Sequence, residues 1–132
     1  MRWMLDTNTC IYAMKHHPPQ VQARLRRVAI GEVGISAIVL AELRFGVCKG
    51  RQREDNTAAL ADFLPYCLVL DWPHEATRAY AEIRHALEVK GTPIGSNDLL
   101  IAAHALYLGC TLVTNNLGEF QRLDGLMVEN WI

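Results

Sequence analysis

No apolar run in the sequence approaches the roughly 18 residues that a membrane-spanning helix needs. The longest candidate, residues 99–108, is interrupted by His104 and falls well short. The amino terminus reads MRWMLDTN and sets Asp6 where the apolar segment of an export signal would lie, so the expectation is a cytoplasmic protein with no membrane association. Cysteine is sparse and scattered: Cys10, Cys48, Cys67 and Cys110 form no CxxC pair and have no adjacent histidine pair to complete a zinc site. They read as reduced thiols acting as small core side chains. Charge of one sign is also missing, since 13 Lys and Arg against 14 Asp and Glu leave a net charge of −1. Proteins that hold nucleic acid by blanket phosphate neutralisation are strongly basic. Any RNA or DNA partner must therefore be gripped by a local patch. Internal repeats and low-complexity tracts are absent as well.

What remains is 132 residues, 51% of them apolar and 20% charged, a composition that excludes intrinsic disorder and leaves room for one domain spanning residues 1–132. Short apolar runs of strand length, RWML, VGI, CLVL and TLVT, alternate with helical patterns. Residues 7–14 read as a helix stopped by His16, His17, Pro18 and Pro19, and a second helix covers 21–28. Ser36 is a natural N-cap for a helix over 37–47. The polar stretch KGRQREDNT at 49–57 reads as an exposed connection before a helix near 58–64, which Pro65 stops; CLVL at 67–70 reads as a buried strand. Residues 75–89 give the clearest amphipathic helix, with Ala76, Tyr80, Ile83 and Leu87 as its stripe and a solvated charged face supported by pairs such as Arg78 with Glu82. Residues 98–108 are apolar nearly all round, as in a central helix packed on several sides. A turn of helix over 117–122 and a short strand over 127–129 close the chain. The alternation predicts an α/β fold with a mostly parallel sheet covered on both faces.

Carboxylates stand where carboxylates are costly. Asp6 follows the first strand directly, and Asn115 and Asn116 follow TLVT in the same way; ligands in open α/β sheets bind outside such strand ends. Glu42 has Ile38, Val39, Phe45 and Gly46 as its helical neighbours, so it projects from an apolar face with no base to pair it. Asp98 sits above Ile101 and Ala102 at the start of the central helix, where the helix dipole favours an anion. Burying each without compensation costs several kcal/mol, and two carboxylates about 4 Å apart repel by roughly 4 kcal/mol at an effective dielectric near 20. Three such acids in one place either share protons or hold a cation, and an all-oxygen set suits Mg²⁺ or Mn²⁺.

Four blocks, LDTNTCIY, ISAIVLAEL around Glu42, GTPIGSNDLLIAAHA around Asp98, and LVTNNLGEF, resemble in order and spacing the PIN domain. They are most similar to the VapC toxins of type II toxin-antitoxin systems. The resemblance covers practically the whole chain. It implies a Rossmann-like α/β/α sandwich and a Mg²⁺- or Mn²⁺-dependent endoribonuclease. Asp6, Glu42 and Asp98 match the first three acids of that family's cluster and are expected to hold the metal. At the position of the fourth, this chain has Asn116, in TNN rather than TND; either Asn116 fills that place through its carbonyl oxygen, or Glu119, three residues on, restores the lost charge. Hydrolysis by this route leaves a 5′-phosphate and a 3′-hydroxyl without using the RNA 2′-OH. Thr7, Asn8, Ser96 and Thr114 flank the acids with groups suited either to orienting them or to capping and turns.

For gripping RNA the basic candidates are Arg24, Arg26 and Arg27, and Arg44, Lys49, Arg51 and Arg53, which read equally well as solvated faces. His104 reads as a satisfied core group, and Trp3, Trp72 and Trp131 as core or subunit contacts. The family resemblance also implies a cognate VapB-type antitoxin whose carboxyl-terminal segment occupies the active-site groove, a homodimer as the toxin unit and higher assembly with the antitoxin. DTNTC with TPIGSND points to members acting on the anticodon loop of initiator tRNA. Two other readings compete. A phosphatase of the haloacid dehalogenase type wants a second acid two residues after Asp6, where Asn8 stands. A scaffold that lost activity with the change at position 116 would only bind a partner.

Overall fold

The computed structural model describes residues 1–132. Five strands form one sheet: β1 (Trp3–Leu5), β2 (Val33–Ser36), β3 (Leu68–Leu70), β4 (Thr111–Val113) and β5 (Val128–Glu129). Their order is β3-β2-β1-β4-β5, and every neighbouring pair is parallel. Seven α-helices connect them: α1 (Thr7–Lys15), α2 (Pro19–Arg27), α3 (Ala37–Lys49), α4 (Arg53–Phe63), α5 (Thr77–Lys90), α6 (Ser96–Leu108) and α7 (Leu117–Phe120). Short 3₁₀ turns, Leu64–Tyr66 and His74–Ala76, precede β3 and α5.

The sheet grows from β1 through β2 to β3 in one direction, then jumps back to β4 and β5 on the other side of β1. Right-handed crossovers put the connections made in opposite directions on opposite faces. The reversal lies between β1 and β4. There the chains leaving the two strands diverge, and a crevice opens at the strands' carboxyl ends.

The middle of the sheet is fully apolar because it is covered twice. Met4, Leu5, Ile35, Leu112 and Val113 are all completely buried, and they belong to one cluster of 26 buried apolar residues that serves both faces. Each such side chain contributes about 1.5–3 kcal/mol on burial. Helix α6 is the central one, with Leu99 and Ile101 to Ala105 all buried, and Gly109 in the left-handed region at φ 69° ends it. Ser36 caps α3, its hydroxyl accepting from the Ile38 amide at 3.2 Å.

Several sequence expectations need correction. Helix α4 begins at Arg53, five residues before the expected start, because Glu54 and Asp55 in its first turn complement the helix dipole while its polar residues face solvent. Strand β3 is an edge strand, with Leu68 and Val69 42% and 45% exposed, so the apolar run CLVL is not buried in the single chain. The charged face of α5 is tied by Arg84 to Glu88 at 3.0 Å rather than by Arg78 to Glu82. His104 is buried, yet its Nδ1 has no hydrogen-bond partner, and burial pushes its pKa down. All four cysteines are free, but Cys48 is exposed rather than a core residue.

Candidate active site

Asp6 is the first residue beyond β1, and its position is fixed twice by the backbone. Its amide donates to the Val113 carbonyl at 3.1 Å, stitching it to the end of β4. Its Oδ1 accepts from the Thr9 amide at 2.9 Å as the N-cap of α1. The side chain is buried, and the cap leaves its second oxygen as the one available to a ligand.

Helix α3 brings Glu42, half-buried, to the same place, where Thr7 Oγ1 donates to Glu42 Oε1 at 2.6 Å. That bond ties the first residue of α1 to the middle of α3. Asp98 arrives from the first turn of α6 and is also half-buried. These three acids, with Thr7, Asn8, Asn116 and the buried ring of Phe120, line one cavity of about 220 Å³ at the β1/β4 reversal. The cavity contains no basic side chain.

Glu119, half-buried on α7, is hydrogen-bonded to Asp98. Asn116 donates its side-chain amide to Glu119 Oε2. The Gly95 amide donates to Glu119 Oε1 at 3.4 Å. Asn116 is in turn placed by buried Thr114, whose Oγ1 accepts from the Asn116 amide at 2.9 Å. The nitrogen of the Asn116 side chain, rather than its carbonyl oxygen, therefore meets the carboxylate. Ser96 is exposed as the first residue of α6 and lines a different, smaller cavity together with Arg84 and Glu88.

Crowding like charges raises the cost of ionising them all. The Asp98 carboxyl is pushed up to about 7, first by burial, then by its hydrogen bond to Glu119 and by the charges of Glu119, Asp6 and Glu42. Asp98 therefore keeps its proton to a higher pH than an isolated aspartate does. No group of three His, Cys, Asp or Glu side chains is set in a geometry that would hold a metal ion as it stands. The fit to a hard divalent cation is thus one of donor chemistry: carboxylate oxygens only, one sign of charge, and a proton whose displacement a cation would favour.

The basic candidates lie elsewhere. Arg24 donates to Glu129 at 2.6 Å and stacks on Trp131, its Cζ 5.0 Å from the ring centroid. Arg26 faces a groove between α1, α2 and α4. Arg27 donates to its own helix at the Ala23 carbonyl, and Lys49 lies over Phe45. Arg44 is exposed, and none of these lines the acid cavity. Sequence reasoning missed Arg122, which borders the adjoining open basin with Glu119; a lone arginine in QRLDG carries no signal of it.

Residues 3–126 match the PIN domain family. The chain is 46% identical to the ribonuclease VapC2 of Rickettsia felis, over 99% of this chain and 98% of that protein. It is 40% identical to the tRNA(fMet)-specific endonuclease VapC of Salmonella typhimurium, over 99% and 98% of the two chains. A solved structure of VapBC2 from Rickettsia felis, bound to a DNA fragment from their promoter, contains a chain that superposes with a TM-score of 0.93 at 45% identity, covering 100% of both chains.

Proposed function

The chain belongs to the PIN-domain family and is similar throughout its length to VapC ribonucleases, and on that premise we propose that it is the endoribonuclease toxin of a type II toxin-antitoxin system. It acts as one domain, residues 1–132, partnered by a cognate VapB-type antitoxin, working as a homodimer in the cytoplasm. Its substrate is RNA, with the anticodon loop of initiator tRNA as the specific target; the tRNA(fMet)-specific relative supports that choice. The observation that carries the reading is the 220 Å³ cavity in which Asp6, Glu42 and Asp98 face one another with no basic side chain.

Asp6, Glu42 and Asp98 would hold a Mg²⁺ or Mn²⁺ ion, with Glu119 as the fourth acid. Such an ion, when bound, supplies neutralisation of a phosphate and acidification of water. The chain's own residues prepare the site. Thr7 fixes the orientation of Glu42, and the N-cap bond leaves one Asp6 oxygen to the cavity. Asn116 and the Gly95 amide hold both oxygens of Glu119 against the start of α6. Asp98, whose pKa is raised by burial and by its acidic neighbours, would have to release its proton to act as a ligand, so binding of a cation there would be coupled to proton release. Buried Phe120 makes one wall of the cavity apolar, and a less polar surrounding strengthens charge interactions beside it.

The test is cleavage of total cellular RNA by the purified chain, with and without Mn²⁺ and EDTA, followed by mapping of the ends. Cuts in the initiator tRNA anticodon loop carrying 5′-phosphates, abolished by EDTA and by Asp98→Asn, are expected. Equal cleavage by wild type and Asp98→Asn would reject the site. Soluble expression without growth arrest, or arrest that a neighbouring small reading frame does not relieve, would reject the toxin assignment.

A further inference from the structure

A second, wider concavity of about 600 Å³ adjoins the acid cavity and shares Asn116 with it. Its walls include Gly95, Gly118, Glu119 and Arg122. Arg122 is the sole basic side chain lining either space. It is exposed and makes no ion pair within 4.0 Å. The nearby carboxylate, Glu119, is already engaged by Asn116 and the Gly95 amide. A guanidinium beside an acid would ordinarily be neutralised by it; here it is left to solvent.

The walls beside Arg122 are bare. A Cβ added at Gly118 would meet nothing within 4 Å, and one at Gly95 would meet only Asp98 Oδ2, at 3.8 Å. An extended ligand can therefore lie close to the main chain along this basin and continue past Asn116 to the acids. The ligand the site must accept is a polyanion, while the acid cavity presents carboxylates. A polyanion with one phosphate among the acids needs a cation one step along its backbone to keep it in register, and guanidinium binds phosphate through paired N–H donors.

We propose that Arg122 and the basin between the Gly95 loop and α7 form a phosphate subsite, which receives an RNA backbone phosphate adjacent to the one cut in the acid cavity. The proposal takes its ligand class from the nuclease reading above. In this arrangement Arg122 touches substrate without joining the acids, and it acts on binding rather than on the chemical step.

Anisotropy of a fluorescein-labelled RNA hairpin mixed with the full chain in EDTA, over a series of salt concentrations, tests it. Arg122→Gln is expected to weaken binding about tenfold, about 1.4 kcal/mol, and to reduce the slope of log K against log salt by about 0.7. Arg122→Lys should retain most of the slope, and Arg78→Gln, an exposed arginine lining neither space, should change nothing. Unchanged affinity and slope in Arg122→Gln, or no binding of the hairpin by any form, would overturn the subsite. The outcome separates from that of the nuclease reading. Arg122-dependent binding without Mn²⁺-stimulated cleavage by the wild type supports the subsite and removes the nuclease; cleavage with Arg122-independent binding does the reverse.

Discussion

The groove between α1, α2 and α4 holds about 580 Å³ behind walls that include Ala13, Leu25, Ala58 and Phe63. The acid cavity is under half that size, about 220 Å³, with Phe120 as its single apolar wall. The groove carries both signs of charge, Arg26 beside Asp55 and Asp62, whereas the acid cavity carries one. Size therefore does not mark the chemistry in this molecule. Uncompensated charge of one sign does, because it persists against a cost that a purely structural surface would relieve with a neighbouring base or with water. Under the proposed function, the groove side contributes packing and the strand-end side the reaction.

Substitutions on the two sides should accordingly fail in different currencies. On the acid side, Asp98→Asn is expected to lower the cleavage rate by on the order of a thousandfold, about 4 kcal/mol of transition-state stabilisation, in a gel assay with labelled RNA. The fold should not suffer, since an amide removes one of the crowded charges. On the groove side, Phe63→Ala empties a buried site and should cost about 3–5 kcal/mol in a urea melt. The remaining folded fraction should cleave at the wild-type rate. A catalytic loss in Phe63→Ala beyond its unfolded fraction would blur the division.

How much of this could be read from residues alone follows the same division. Asp6, Glu42 and Asp98 were legible because each offends a local rule: an acid at a strand end, on an apolar helix face, or at the head of an apolar helix. The sheet and central helix were legible from runs such as TLVT and the nearly all-apolar stretch from Leu99. Helix α4 was misjudged at its start because REDN has the composition of a loop, and composition does not reveal which face is solvated. Strand β3 was misjudged because an edge strand and a central one can have the same apolar run. Contacts distant in sequence, Glu119 with Gly95 or Arg24 with Glu129, depend on where loops lay the chain, and no local pattern encodes them.

Smaller effects sharpen the comparison. Thr7→Val removes the hydrogen bond that orients Glu42 and is expected to cost about tenfold in Mn²⁺ affinity or in cleavage, as lost orientation of a ligand typically does. Isothermal titration and initial rates read the two separately. Arg24→Ala breaks a partly exposed ion pair and its stacking on Trp131. It should cost about 1 kcal/mol in a thermal melt and leave the cleavage rate alone; a large drop in rate would move Arg24 into the substrate path.

The acid cavity also sets the sign of the pH response. Asp98 ionises at about 7 in the fold against an ordinary 3.8, so between those values the folded chain binds more protons than the unfolded one. Stability from this group therefore falls as pH rises through that window and is flat above it. The most direct measurement is a set of melting curves from about pH 5 to about pH 8, with and without Mn²⁺, for wild type and Asp98→Asn. If the acids jointly hold a divalent ion, wild type loses melting temperature with rising pH, Mn²⁺ restores it most at the high end, and Asp98→Asn loses both responses. A wild-type melting curve that Mn²⁺ does not move, or an Asp98→Asn chain that responds to pH and Mn²⁺ as the wild type does, would contradict the account.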